Sequence, residues 1–317
     1  MDIIGNLING TLVFATAFIF AALGGLISER AGVINIGLEG FMVSGAFFAA
    51  VVAHYGESAG LGAFSPWLGV IGAFVCTAVF SAIHAVATIR FKANQVVSGV
   101  VINILAASST FYLVKMIFDG SAETPLLTHV FHKLAIPSFS DLPFIGNALL
   151  SGYPTTYIAI GLVGLLSFLL FQTSSGLRLR AVGENPSAAA TVGVKVNRTR
   201  YLAVILSGSI AALGGATIVL TSNGNFSFNT ISGQGYIALA AVIFGKWNPI
   251  GAMLAALFFG LAQAVKDQLQ IFDFAANMPD EFFYMLPYVL TLLVLIGAVG
   301  KSRAPKALGE PYEVGKR

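Results

Sequence analysis

The chain has 317 residues, of which 56% are hydrophobic and only 10% charged, and its mean hydropathy is +0.84. A soluble domain is about 25% charged, so this chain lacks the polar surface that water demands and reads as an integral membrane protein. Soluble enzymes, nucleic-acid binders and disulfide-built secreted domains are excluded as its main character, because the apolar excess runs along the whole length and only one cysteine, Cys76, is present. No basic leader precedes the first apolar stretch at Ile3, so a cleavable signal peptide is not expected.

A helix that crosses a hydrocarbon core of roughly 30 Å needs about 20 residues. In chain order, the apolar runs that qualify are Ile3 to Ile27, Val33 to Val52, Trp67 to Ile89, Val96 to Phe118, Tyr157 to Phe171, Tyr201 to Leu220, Tyr236 to Phe244, Ile250 to Val265 and Phe283 to Val299. They are continuous and lack the two-residue alternation of a transmembrane barrel. The expected fold is therefore an all-α polytopic membrane protein of eight to ten transmembrane helices, one transmembrane domain over 1–317. Tyr236 to Phe244 is too short to span unless it begins near Ile231, which leaves a re-entrant or broken helix open there.

Lys and Arg are retained on the cytoplasmic side of short loops. With the N-terminus outside and nine spans, fourteen of the seventeen basic residues fall on one side, including Arg30, Arg90, Lys92, Arg178, Arg180, Lys195, Arg198, Arg200 and Lys246. Nine of the fourteen acids fall on the other. The net charge of +3 is thus a topological signal, with no nucleic-acid surface implied. Two loops are long: 119–156, external and carrying Pro125, Pro137, Pro143 and Pro154, and 172–200, internal and strongly basic. Residues 301–317 form a cytoplasmic tail in this topology.

The sequence also repeats itself. Ala21-Ala22-Leu23-Gly24-Gly25 recurs as Ala211-Ala212-Leu213-Gly214-Gly215. Each copy is followed by a short glycine-flanked segment, Gly37-Leu38-Glu39-Gly40-Phe41 or Ser232-Gly233-Gln234-Gly235-Tyr236, and then by a proline-opened apolar helix at Pro66 or Pro249. A five-residue insertion within Asn223 to Asn229 reconciles the spacing. Duplicated halves are a common plan for transporters.

Polar groups inside a bilayer are costly and mark candidate sites. Glu39 stands out because glycines on both sides loosen the helix around a carboxylate. Either Asn35 and Glu39 face an aqueous path, or Glu39 pairs with a backbone amide and fixes packing. Asn103 and Gln234 are further intramembrane candidates, and His84 reads as an interhelical hydrogen-bonding residue. No catalytic set and no metal-ligand spacing is present, the four histidines lacking a carboxylate or thiol partner. Gly300-Lys301-Ser302 does not complete a phosphate-binding loop, so ATP, if used, is hydrolysed by another polypeptide. In the internal loop, a turn at Leu177 to Glu184 is expected to lead into a short helix with Asn185 as N-cap and Pro186 in its first position. Its small residues suit a partner's groove, and Arg178, Arg180, Arg198 and Arg200 can reach the headgroups.

Three stretches carry a resemblance: Ala31-Gly32-Val33-Ile34-Asn35-Ile36-Gly37-Leu38-Glu39-Gly40, then Arg180-Ala181-Val182-Gly183-Glu184-Asn185-Pro186 with Ala189, and Gly235-Tyr236-Ile237-Ala238-Leu239-Ala240. They resemble the branched-chain amino acid, simple-sugar and nucleoside permeases of bacterial ABC importers, over about Ala21 to Phe259. The resemblance implies a multi-pass subunit of the bacterial cytoplasmic membrane. It would pair with a second permease, generally an unlike chain, and with ABC ATPase subunits that bind ATP and Mg²⁺, and would receive substrate from an extracellular or periplasmic binding lipoprotein. The chain itself would hold no cofactor. Glu184 to Gly193 corresponds to the family's coupling helix, which implicates Arg180, Gly183, Glu184, Asn185, Pro186 and Ala189 in ATPase coupling. The segment around Glu39 is closest to the nucleoside branch. Asn35, Glu39, Asn103 and Gln234 could then bond ribose or base edges, with Phe41 and Tyr236 offering stacking faces. A ribose or other simple-sugar permease is the nearest alternative, and an ion-coupled secondary transporter is the alternative of another class.

Overall fold

A computed structural model describes residues 2–135, 151–270 and 303–313, together with Phe282, Met285, Val289 and Leu292. Its helices are α1 (Asp2–Arg30), α2 (Leu38–Ser58), α3 (Ser65–Ala85), α4 (Gln95–Ile117), α5 (Pro154–Gln172), α6 (Ser174–Glu184), α7 (Pro186–Thr191), α8 (Val196–Ile218), α9 (Gln234–Phe244) and α10 (Pro249–Leu269). A two-residue antiparallel pair, Leu134–Ala135 with Ser151–Gly152, precedes α5. Among the described residues seven helices are long and apolar enough to cross a membrane, and α9 is a shorter apolar helix. The expected span at Phe283 to Val299 lies largely outside the described residues.

Local chemistry sets the boundaries. The Asn94 side chain accepts from the backbone N–H groups of Val96 and Val97 at 3.0 and 3.1 Å, opening α4, and Asn248 does the same for α10. Pro66 and Pro249 stand in the first turns of α3 and α10, as the repeat requires. The second helix starts at Leu38 and not at Val33, a correction to the apolar pattern: Gly32 adopts φ +85° and the chain stays non-helical through Asn35. Likewise α9 begins only at Gln234, because Gly233 takes φ +79°, so the broken-helix alternative holds. Leu177 to Glu184 is helical, as part of α6, and not a turn.

The two repeats are visible as interlocked halves. Helix α1 packs against α10 and α8, while α3 packs against α8 and α2, so the third helix of each half rests on the first helix of the other. In lipid there is little hydrophobic drive between helices, and close approach through small residues takes its place. The repeated Gly-Gly pairs do this reciprocally. A Cβ on Gly24 would lie 2.4 Å from the Ser207 carbonyl oxygen, and one on Gly214 would lie 2.5 Å from that of Ala17. The same seven-residue offset recurs on both helices, with numbering that rises on one as it falls on the other. Thus α1 and α8 cross antiparallel and the halves are inverted relative to each other, as in many transporters. Phe18, Phe20, Leu23, Phe41 and Phe47 fill the interior around this crossing.

The two ends of the bundle differ in charge. Arg30, Lys92, Arg200 and Lys306 gather at one end with α6 and α7, joined through Trp247, Ala31 and the segment 303–313. At the other end, Glu57 bonds the backbone N–H of His129, and Asp119 and Glu123 line a surface depression with Asn225. The insertion Asn223 to Asn229 is occupied there, pairing with the first part of the 119–156 loop through Thr124 N–H to Phe226 O at 2.9 Å and Leu127 N–H to Gly224 O at 2.8 Å. Residues 136–150 of that loop lie outside the described residues.

Candidate translocation and coupling sites

The break between α1 and α2 exposes backbone groups that helix geometry would have satisfied, and a membrane interior supplies no water to replace them. Side chains from other helices do so. Gln95 accepts the Ile34 N–H at 2.6 Å, His84 Nε2 lies 3.4 Å from the Ile34 carbonyl and its Nδ1 2.9 Å from Ser98 Oγ, and Asn103 Nδ2 donates to the Ile36 carbonyl at 3.0 Å. Asn103 Oδ1 also accepts the Gly40 N–H at 2.8 Å. Asn35 donates to Ser207 Oγ at 2.7 Å. Ser207 is eleven residues into α8, which at 1.5 Å per residue puts the break about 16 Å from the basic end of that helix, deep in the bundle.

Glu39 occupies the first turn of α2 and reaches across to the start of α9. Its Oε1 accepts the Gly233 N–H and its Oε2 the Gly235 N–H, each at 2.6 Å. The carboxylate thereby caps a second helix in trans, where the partial positive charge of unsatisfied N–H groups favours an anion. A Cβ on Gly235 would lie 2.4 Å from the Glu39 nitrogen, so this approach requires glycine. The two inverted halves therefore meet at the N-termini of their broken helices, with Glu39 as the tie. The backbone pairing that the sequence left open is present here.

Glu39, Asn103, Gln234 and Tyr236 come together at this junction, and Asn35 lies at the α1–α2 break, bonded to Ser207. Asn103 links the elbow, the non-helical break between α1 and α2, to Tyr236, donating to Tyr236 Oη at 3.0 Å, and Gln234 opens α9 with its Oε1 buried and without a hydrogen-bond partner among the described residues. Tyr236 presents its ring outward, 47% exposed. Phe41 departs from the expected role: it is fully buried, edge-on to His84 at 6.4 Å between centroids, and offers no free stacking face. Another exposed aromatic residue, Phe228, meets the Phe111 ring at 5.3 Å between centroids. Phe111 lies eight residues beyond Asn103 on α4, about 12 Å along the helix. Linear spacing carried no signal for Gln95, Ser207 or Phe228, because they reach the elbow from separate elements.

Beneath the elbow lies the loop expected to couple. Asn185 Oδ1 accepts the Ala188 N–H at 3.0 Å, and Pro186 occupies the first turn of α7, as its sequence signals. Glu184, Asn185, Ser187 and Ala188 are exposed. Ala189 is not on that outward face, since it packs inward with Val182 and Val196. Gly183 is wedged against the end of α1, where a Cβ would lie 2.2 Å from the Arg30 carbonyl oxygen. Arg180 lies over the Phe171 ring at 5.0 Å. Arg200 is buried and donates to the carbonyls of Ala31 at 3.2 Å and Glu310 at 2.9 Å, so it braces the elbow and does not reach headgroups.

Comparison with known proteins accords with this architecture. The chain is 46% identical to the guanosine ABC transporter permease protein NupQ of Bacillus subtilis, over 100% of this chain and 99% of that one. It is 39% identical to the nucleoside ABC transporter permease protein NupC of Lactococcus lactis, over 98% and 99% respectively. A second guanosine permease of Bacillus subtilis, NupP, matches at 24% over 80% of this chain and 71% of its own. The model of the family described as branched-chain amino acid transport system / permease component matches residues 7–295, and the chain belongs to that family.

Proposed function

We propose that this chain is the transmembrane permease subunit of an ATP-driven ABC importer that carries nucleosides across a bacterial cytoplasmic membrane, with its C-terminus in the cytoplasm. The observation that carries the reading is end-to-end similarity to guanosine and nucleoside permeases in a chain whose inverted halves meet at Glu39. The chain has no catalytic or cofactor site of its own in this reading. ATP and Mg²⁺ belong to two ATPase subunits that dock on 172–200, and an external binding lipoprotein delivers substrate. The same organism's two guanosine permeases match this chain over very different shares of their lengths, which supports an unlike second permease as partner.

The geometry suggests how coupling proceeds. Closure of the ATPase moves α6 and α7. Gly183, in close contact with the Arg30 carbonyl, passes that motion to Ala31 and Gly32, and the non-helical elbow carries it to Asn35 and Glu39. Releasing Glu39 from Gly233 and Gly235 frees the start of α9 and with it Gln234 and Tyr236. The base would stack on Tyr236, and the unpartnered Gln234 carbonyl would accept from a base amine or ribose hydroxyl.

Uptake of labelled guanosine and uridine by cells lacking the gene, with and without complementation, tests the substrate. Loss and rescue of nucleoside uptake are expected. Unchanged nucleoside uptake with lost ribose uptake would overturn the nucleoside reading in favour of the sugar branch.

A further inference from the structure

Residues 303–313 are pinned beneath the bundle. Ala307 donates its N–H to the Gly183 carbonyl at 2.9 Å and Gly309 to the Gly32 carbonyl at 3.2 Å, while the buried Arg200 holds the Glu310 carbonyl at 2.9 Å. Lys92 pairs with Glu313 at 3.0 Å, and Tyr312 packs beside Val182, Ala189 and Val196. The segment thus runs alongside α7. A groove of about 400 Å³ lies between them, with Glu184, Asn185 and Ser187 on one wall and Lys306, Glu310 and Tyr312 on the other.

We infer that this groove seats the ATPase subunit, that the C-terminal segment is the second wall of its socket, and that the socket receives a basic side chain of that subunit. The inference rests on the coupling role proposed above for α7. Its independent support is charge and preorganisation. Glu184 and Glu310 are exposed on opposing walls and form no salt bridge among the described residues; Arg30 acts on Glu184 and Arg200 on Glu310 only at longer range, and with Glu313 the carboxylates of the groove outnumber its one lining cation, Lys306. They interrupt an end of the bundle that otherwise carries Arg90, Arg178, Arg180 and Arg198. Anionic headgroups are attracted by those arginines and repelled by the two carboxylates, so the groove selects a cationic protein group over the lipid surface. Anchoring by three hydrogen bonds on 307–310 means that the wall stands before the partner arrives, which lowers the ordering cost of docking.

Cross-linking in the assembled transporter tests this. With the lone Cys76 replaced by serine, a photoactivatable maleimide is placed at Glu310→Cys and, separately, at Ser187→Cys. Covalent ATPase adducts are expected from both positions, and Glu310→Lys should weaken ATPase retention about tenfold, with Glu310→Gln as the milder variant should the lysine disturb folding. An adduct from 187 without one from 310, or unchanged retention in the monodisperse Glu310 variants, overturns the two-walled socket and leaves the coupling loop standing. No adduct from either position overturns the coupling reading together with the socket.

Discussion

Replacing Glu39 probes the tie between the two halves most directly. Its carboxylate makes two bonds of 2.6 Å to the N–H groups of Gly233 and Gly235, one from each oxygen. Hydrogen bonds to a charged group contribute about 1.5–3 kcal/mol each, and an anion at a helix N-terminus adds about 0.3–1 kcal/mol more. Glu39→Gln retains the length but has a single acceptor oxygen, so one N–H is left facing an amide NH₂. The closed junction should lose about 1.5–3 kcal/mol, roughly a ten- to hundredfold shift in its population. Glu39→Asp keeps the charge but shortens the reach by about 1.5 Å, the length of one carbon–carbon bond, which breaks both bonds. Purified complexes of both variants should retain the ATPase, melt at lower temperature in detergent, and show reduced nucleoside uptake in proteoliposomes, with ATP hydrolysis less dependent on the loaded binding protein. Wild-type melting and wild-type uptake in both would refute the argument that this carboxylate latches α9.

Other substitutions read separate parts of the structure. Asn103→Leu leaves the Gly40 N–H and the Ile36 carbonyl without their partners, at about 1–3 kcal/mol for each buried group; a melting temperature indistinguishable from wild type would show that the elbow does not depend on it. Gly24→Val and Gly214→Val should impair assembly to the same degree, since each drives a side chain into the opposing helix backbone at 2.4 or 2.5 Å; membrane yield and monodispersity measure it, and tolerance of one but not the other would contradict the reciprocal crossing. Trp247→Phe removes the indole donor to Glu29 Oε2, leaving a carboxylate buried without it, and should cost about 1.5–3 kcal/mol by thermal melting; Glu29→Gln should be less harmful when combined with Trp247→Phe than alone, and additive losses would argue against that pair. Glu184→Lys should detach the ATPase in co-purification while leaving the fold intact, and normal retention would remove α7 from coupling.

Much of the fold was legible along the chain because a bilayer enforces it. Apolar runs of spanning length, proline at the starts of α3 and α10 and the Asn185 cap are local signals. They yielded eight of the nine expected helical segments within the described residues. The recurrence of Ala-Ala-Leu-Gly-Gly announced two halves. It could not say that Gly24 and Gly214 would face each other's helices, since crossing direction depends on which faces meet. The boundary slipped at the start of α2, where the positive-φ Gly32 begins a non-helical stretch that hydropathy alone would have made helical.

The site divides in the same way. Composition made an intramembrane carboxylate conspicuous, because the cost of burying charge leaves few such residues without a purpose. Which groups Glu39 would meet was decided by α9 arriving from far along the chain, with N–H groups aimed at both oxygens. Phe41 looked equivalent to Tyr236 in the repeat, yet one ring is enclosed while the other stands on the open face beside α4. Sequence determined which groups are polar, flexible or apolar. Tertiary structure determined which of them meet, because hydrogen bonds act over about 3 Å and spans far apart in the chain must pack before any such distance exists.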